Sequence, residues 1–323
     1  MSNLCDYPLR FKPVLRRYLW GGRRLATMFG KPLGEGNDYA ESWELVDHGE
    51  DQSVVRTGAL AGLTLRQLVS EHAAELLGQH AGCRQFPLLF KFLDCNRTLS
   101  VQVHPTDQQG AKLDPPDLGK TEAWVVLAAD PGSKIYAGLN PGVGQQDLRS
   151  ALAAGTCEQC LHWFEPKVGD CVFIGAGTVH SLGAGLVIAE IQQASDTTFR
   201  LFDWNRIDAE GNPRQLHVEE SLEVTNFSRG PISVQQPQAT VTAGRERLVD
   251  CDKFVLDRCT WESSQSVGGD ERFHLLVLLE GSADVSGITF SVGETCLLPA
   301  AAGEIEILPQ GRAVALDIYL PTT

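Results

Sequence analysis

Between residues 9 and 206 the chain is cut by glycine, proline and aspartate into short runs of β-forming residues, with few stretches of helical period among them. The runs at 87–93, 168–174 and 186–191 are bounded by turn residues and are too short for buried helices. Strands of this kind bury their apolar sides only against a second layer. The spacing therefore predicts a mainly β chain, an antiparallel β-barrel or jelly roll with a few helices. A ligand site is expected at the mouth of such a barrel. Helices are expected where Thr64-Leu65-Arg66-Gln67 forms a capping box ahead of an apolar stripe (Leu65, Leu68, Val69, Ala73, Leu76, Leu77) that Gly78 stops, and at 147–154 and 157–161. Residues 41–46 read as a strand whose partner, across a polar turn at 47–53, is Val54-Val55.

In Leu99-Ser100-Val101-Gln102-Val103-His104 the alternation of valine with polar residues puts Gln102 and His104 on one face of a strand. Lys120-Thr121-Glu122 follows, with Glu122 opening the next strand-like run. Gly175-Ala176-Gly177-Thr178-Val179-His180 supplies a second imidazole. Two histidines, a glutamate and a glutamine make an N/O donor set for zinc or a neighbouring transition metal. Lys91, inside an otherwise apolar strand, either meets an anion or sits at an edge and reaches solvent, because burying an unpaired ammonium is costly. Trp20 and Trp43 lie close to glycines and are expected to pack, with walling of a pocket as a second role.

Lysine and arginine number 27 against 41 aspartates and glutamates, a formal charge of −14. That balance argues against nucleic acid and anionic membranes as partners, and it leaves the attraction of any anionic substrate to a few local cations. No run of 18 apolar residues occurs and no apolar signal region opens the chain, so a cytoplasmic protein is expected. Nine cysteines without a framework spacing suit a reducing compartment, and Cys157-Glu158-Gln159-Cys160 reads as incidental. No obligatory protein partner is evident.

From Gly230 the texture changes, and Pro231, Gln235-Gln236-Pro237-Gln238 and Thr240 suggest a linker. Beyond it the strand–turn–strand rhythm returns, and Val292-Gly293-Glu294-Thr295 echoes Val168-Gly169-Asp170-Cys171. Where the first copy runs on to His180, the second offers residues 300–304 and no histidine. The expected organisation is a catalytic domain at 1–230 with small helical additions and a smaller, metal-free β-barrel of the same type at 231–323.

The words FKFLDCNRTLSVQVHPTD (90–107), GKTEAW (119–124), GAGTVHSL (175–182) and QQASDTTFRLFDWNR (192–206) resemble, in this order, the type I phosphomannose isomerases of the short bacterial form, members of the cupin superfamily. The likeness runs from about Leu9 to Phe227. One departure is Gly175, where cupins often carry proline. The resemblance implies a cupin-type barrel with a second, degenerate one. It implies a zinc ion on Gln102, His104, Glu122 and His180, with Lys120, Glu190 and Arg200 at the reaction centre and Ser100 and Lys91 near the phosphate. The substrate implied is a small sugar phosphate, mannose 6-phosphate exchanging with fructose 6-phosphate. Enediol chemistry of that kind needs a base and positive charge beside a developing oxyanion. Glu190 is the first choice of base and Lys120 its rival, while Arg200 stays charged in any surroundings. The same two-histidine, one-carboxylate set would also describe a cupin oxygenase, or a sugar-phosphate-binding cupin without turnover; Gln102 filling a position that oxygen chemistry needs open argues against the former.

Overall fold

The computed structural model describes residues 6–207 and 211–322. Four large antiparallel sheets organise it, two from the strands up to Phe202 and two from the strands after Gln238. The first pair comprises a six-stranded sheet, ordered Cys171–Ile174, Glu122–Ala129, Leu186–Gln193, Leu88–Cys95, Tyr39–Leu45, Val14–Gly22, and a five-stranded sheet, ordered Leu161–Phe164, Ile135–Leu139, His180–Leu182, Val101–Val103, Phe199–Phe202. The second pair has six strands and four. This is the mainly β, cupin-like architecture anticipated.

The central strands of the first six-stranded sheet are buried along their whole length, which explains their nearly continuous apolar sequences. Alternation still separates their faces. Leu93, Trp124, Val126 and Ile188 point between the first two sheets, where they meet Ile135, Ala137 and Leu182. Phe90, Phe92, Val125, Ala189 and Ile191 point the other way, into an apolar layer shared with Leu256, Leu275, Val277, Leu316 and Ile318 of the second six-stranded sheet. The two sheet pairs thus have separate interiors and one common core.

The capping box at Thr64 forms, with the Thr64 hydroxyl accepting from the Gln67 amide at 3.2 Å and Gln67 Oε1 accepting from the Thr64 amide at 2.8 Å. The helix it opens ends at Glu71, and a second runs Ala73–Leu77; the stripe predicted for one helix is shared by two. Gln145–Ala153 is helical and Cys157–Cys160 is a 3-10 turn. The hairpin expected to join 41–46 with Val54-Val55 does not form. Val54-Val55 pairs with Phe11-Lys12, because the Ser53 hydroxyl and amide close the intervening turn onto Val46 and send the chain away from that strand. Helices at Arg24–Phe29 and Val218–Val224 were not anticipated. Cys157 and Cys160 are free, and among the described residues no helix is long and apolar enough to cross a membrane.

Where the first barrel passes from Cys171–Ile174 to His180–Leu182 through a glycine turn, the second passes from Thr295–Leu298 through a 3-10 turn at Ala300–Ala302 to Glu304–Pro309.

Candidate active site

Four residues line up across neighbouring strands of the six-stranded sheet: Trp43 opposite Lys91, Lys91 opposite Glu190, Glu190 opposite Trp124. Lys91 lies on a central strand and not at an edge, and alternation turns it away from the Phe90 and Phe92 side. Its ammonium sits 3.1 Å from Glu190 Oε1, 3.5 Å from Glu41 Oε2 and 5.5 Å from the centre of the Trp43 ring. Trp124 Nε1 donates to Glu190 Oε2 at 2.9 Å, and Trp43 Nε1 donates to Glu41 Oε2 at 2.5 Å. Burial alone would raise the Glu190 carboxyl, but Lys91, Lys120 and the indole N–H outweigh it and hold the group below its ordinary value. Burial works against the Lys91 charge, yet Glu190 and Glu41 leave it raised. Glu190 is therefore a buried, ionised carboxylate, held by the Lys91 ammonium at one oxygen and the Trp124 indole at the other.

One strand over, Glu122 lies between the two predicted histidines. Its Oε1 is 3.3 Å from His180 Nε2 and its Oε2 is 3.6 Å from His104 Nε2. The second imidazole is delivered by the glycine turn: Gly177, at φ 84°, donates its amide to the His104 carbonyl at 2.9 Å, and His180 then pairs across strands with Gln102. Each ring donates Nδ1–H to a backbone carbonyl, His104 to Thr197 at 3.0 Å and His180 to Thr178 at 2.8 Å, which leaves the Nε2 lone pairs facing Glu122. Burial lowers both histidines, His180 to about 4 and His104 well below its usual range, with Lys120 adding to the depression. Both rings are thus neutral. Burial also pushes the Glu122 carboxyl up against the pull of Lys120, whose Nζ is 3.1 Å from Glu122 Oε2 and 3.2 Å from His104 Nε2.

Two neutral imidazoles and a carboxylate, all within 4.8 Å of one another and all sealed from solvent, fit a metal ion. Three of their atoms, both Glu122 oxygens and His180 Nε2, have no well-formed hydrogen bond. Donor atoms that share one tetrahedral ion at bond lengths of about 2.0–2.2 Å stand roughly 3.4 Å apart, a separation that the two contacts to Glu122 bracket.

Gln102, Lys120, Ser100, Lys91, Glu190 and Arg200 all line a single cavity of about 300 Å³ beside this triad. Six of the nine predicted site residues therefore line this cavity, and Lys120, in contact with Glu122 and His104, joins it to the triad. Trp20 walls the same cavity, whereas Trp43 is packed beneath Lys91. Gly175 stands where the Arg229 guanidinium crosses the turn to donate to the Ala176 carbonyl at 3.1 Å; a Cβ at Gly175 would overlap that guanidinium. Sequence reading missed Glu41, Trp124 and Arg214. Trp124 stood in the GKTEAW word, and Glu41 on a recognised strand, but their register with Glu190 and Lys91 is set by strands far away in sequence. Arg214 sits in a loop with no pattern to mark it.

A family model described as phosphomannose isomerase type I, catalytic domain, matches residues 9–130. Mannose-6-phosphate isomerase ManA of Bacillus subtilis is 36% identical over 321 residues, covering 97% of this chain and 99% of that one. This chain belongs to the type I phosphomannose isomerase family. The mannose-6-phosphate isomerase of Streptococcus mutans is 39% identical over 266 residues, 80% of each chain. The crystal structure of the mannose 6-phosphate isomerase from Bacillus subtilis superposes with a TM-score of 0.88 at 26% identity, covering 97% of this chain and 100% of that one. As a type I phosphomannose isomerase the chain is an isomerase enzyme, and His104, Glu122 and His180 are its possible metal site.

Proposed function

We propose that this enzyme interconverts mannose 6-phosphate and fructose 6-phosphate through an enediol, moving a proton between C1 and C2, with one zinc ion held by Gln102, His104, Glu122 and His180. The observation that carries the reading is the buried His104–Glu122–His180 set, short of hydrogen-bond partners, beside a cavity that an ionised Glu190 also lines. Zinc, when bound, supplies a Lewis acid that polarises or orients sugar oxygens. Glu190 acts as the base that takes and returns the carbon-bound proton; Lys120, in contact with Glu122, is the competing candidate. Lys91 keeps Glu190 ionised and, with Ser100, contacts the sugar phosphate. Arg200 sits across the strand pair from Gln102 and stabilises negative charge as it develops on oxygen.

In this reading residues 1–230 are the catalytic unit, residues 231–323 a metal-free companion, and the enzyme works in the cytoplasm on a small molecule, without nucleic acid or membrane. The test is a coupled assay on mannose 6-phosphate with metal analysis of the same sample, run also in deuterated water. Turnover with zinc at one equivalent, with the C2 hydrogen lost and solvent deuterium appearing at C1 of the fructose 6-phosphate formed, is the expected result. Binding of the sugar phosphate with no turnover and no exchange would instead make the chain a non-catalytic binder.

A further inference from the structure

The cations lining the main cavity are not equally provided with counter-ions. Lys91 lies between Glu190 and Glu41, and Lys120 lies against Glu122. Arg200 and Arg214 line the cavity as well, and the other carboxylate lining it is Asp196. Behind them is Asp203, nearly fully buried, and its Oδ1 is already held by Arg206, which also donates to the Asp203 and Thr98 carbonyls. Arg214 reaches that same oxygen only at 3.4 Å. Arg206 and Arg214 thus share one carboxylate oxygen, and Arg200 has only the more distant pull of the same Asp203, at a site in a chain whose overall charge is −14. Arg200 shows the consequence: burial first, then the nearby Arg214, hold it below its ordinary value, and its Nε is buried with no hydrogen-bond partner.

The loop bearing Arg214 is fastened in place. The Arg200 Nη1 donates to the Gln215 carbonyl at 2.9 Å, and the His217 amide donates to the Arg200 carbonyl at 2.7 Å. Arg214 also lines a neighbouring cavity of about 290 Å³ with Trp20, Arg97 and Ile207, so it stands at the boundary of the reaction chamber and not on its floor. Guanidinium charge from Arg200 and Arg214, in a cavity that Gln102, Lys120 and Glu190 also line, is the complement of a substrate that carries a dianion away from its reacting carbons.

We propose that Arg214 receives the phosphate group of the substrate and is the residue by which this enzyme selects phosphorylated over free sugars. The assignment rests on the isomerase reading above, and it moves the main phosphate contact from Lys91, whose charge already faces two carboxylates, to an arginine outside the recognised motifs.

The variants are Arg214→Gln and Arg214→Lys, measured for kcat and KM with mannose 6-phosphate and for inhibition by inorganic phosphate. Loss of a charge-assisted contact is expected to raise KM, and to weaken inorganic phosphate, by about 10- to 100-fold in Arg214→Gln while kcat changes by less than about threefold. Arg214→Lys should recover part of both, since the point charge remains without the bidentate fork. Arg214→Gln with KM and phosphate inhibition within about twofold of wild type overturns the assignment. So does a fall in melting temperature or kcat with phosphate affinity unchanged, which would make Arg214 a structural partner of Asp203. A wild-type protein that fails to isomerise mannose 6-phosphate, yet loses phosphate binding in Arg214→Gln, would remove the proposed reaction and leave the anion site standing.

Discussion

The two barrels each bury a cluster of charges, and they complete it differently. In the second barrel Asp317 accepts from His274 Nδ1 at 2.8 Å and from Arg245 at 2.7 Å, Asp257 accepts from Arg245 at 3.0 Å and from the Tyr319 hydroxyl at 2.8 Å, and His274 Nε2 lies 3.1 Å from Asp270. In the first barrel Glu122 and His180 face each other with atoms left over. Among the described residues, every buried side-chain polar atom without a hydrogen bond lies at or before Ser221. A buried polar group left unmade costs roughly 1–3 kcal/mol, so a fold retains such groups where something else is to occupy them. The saturated cluster reads as structure and the unsaturated one as a site.

The sharpest way to break that contrast is to remove the metal. Exhaustive chelation should abolish turnover and added zinc should restore it; activity that survives with no metal detected would mean that the unsaturated atoms are not a working site. Next in size is Glu190→Gln. A lost general base costs on the order of 10²- to 10⁴-fold in kcat, with metal content unchanged; near-normal turnover transfers the role to Lys120.

On the other side of the comparison, Asp317→Asn strips the charge that His274 and Arg245 share. Breaking a buried ion pair costs about 3–5 kcal/mol, so denaturant midpoints should fall steeply while kcat per folded molecule stays put. A loss of kcat at unchanged stability would make the second cluster part of the chemistry. The smallest effect is the pH dependence of the same cluster. Burial disfavours the His274 charge, but Asp317 and Asp270 raise it to about 9. The folded value exceeds the unfolded one of about 6.5, so the stabilisation is fully present below pH 6.5 and fades as pH rises through 9. Urea midpoints should decline across that window in the wild type and show less decline in His274→Gln; parallel profiles would show that His274 is not the titrating group.

Much of this site was legible because it depends on local periodicity. Alternation put Gln102 and His104 on one face, and the glycine turn before His180 marked a second approach to the same point. Lys91 was legible as an anomaly only: whether it met an anion or solvent turns on the pairing of strands nearly a hundred residues apart in sequence, which no local pattern encodes. The apolar stripe from Leu65 to Leu77 identified a buried face correctly, yet it could not report the break at His72, since two short helices present that face as well as one long one. Arg214 escaped because a lone arginine in a loop becomes informative only when its neighbours' counter-ions can be counted.

The core common to both barrels has a practical corollary. The wall of the main cavity is a single sheet thick, and its reverse side rests on Leu256, Leu275, Val277, Leu316 and Ile318. Trimming the polypeptide after its last motif would bare Phe90, Phe92 and Ile191 to water and invite aggregation, so the C-terminal portion acts as a buttress, and any minimised catalyst made from this protein would need a replacement for it.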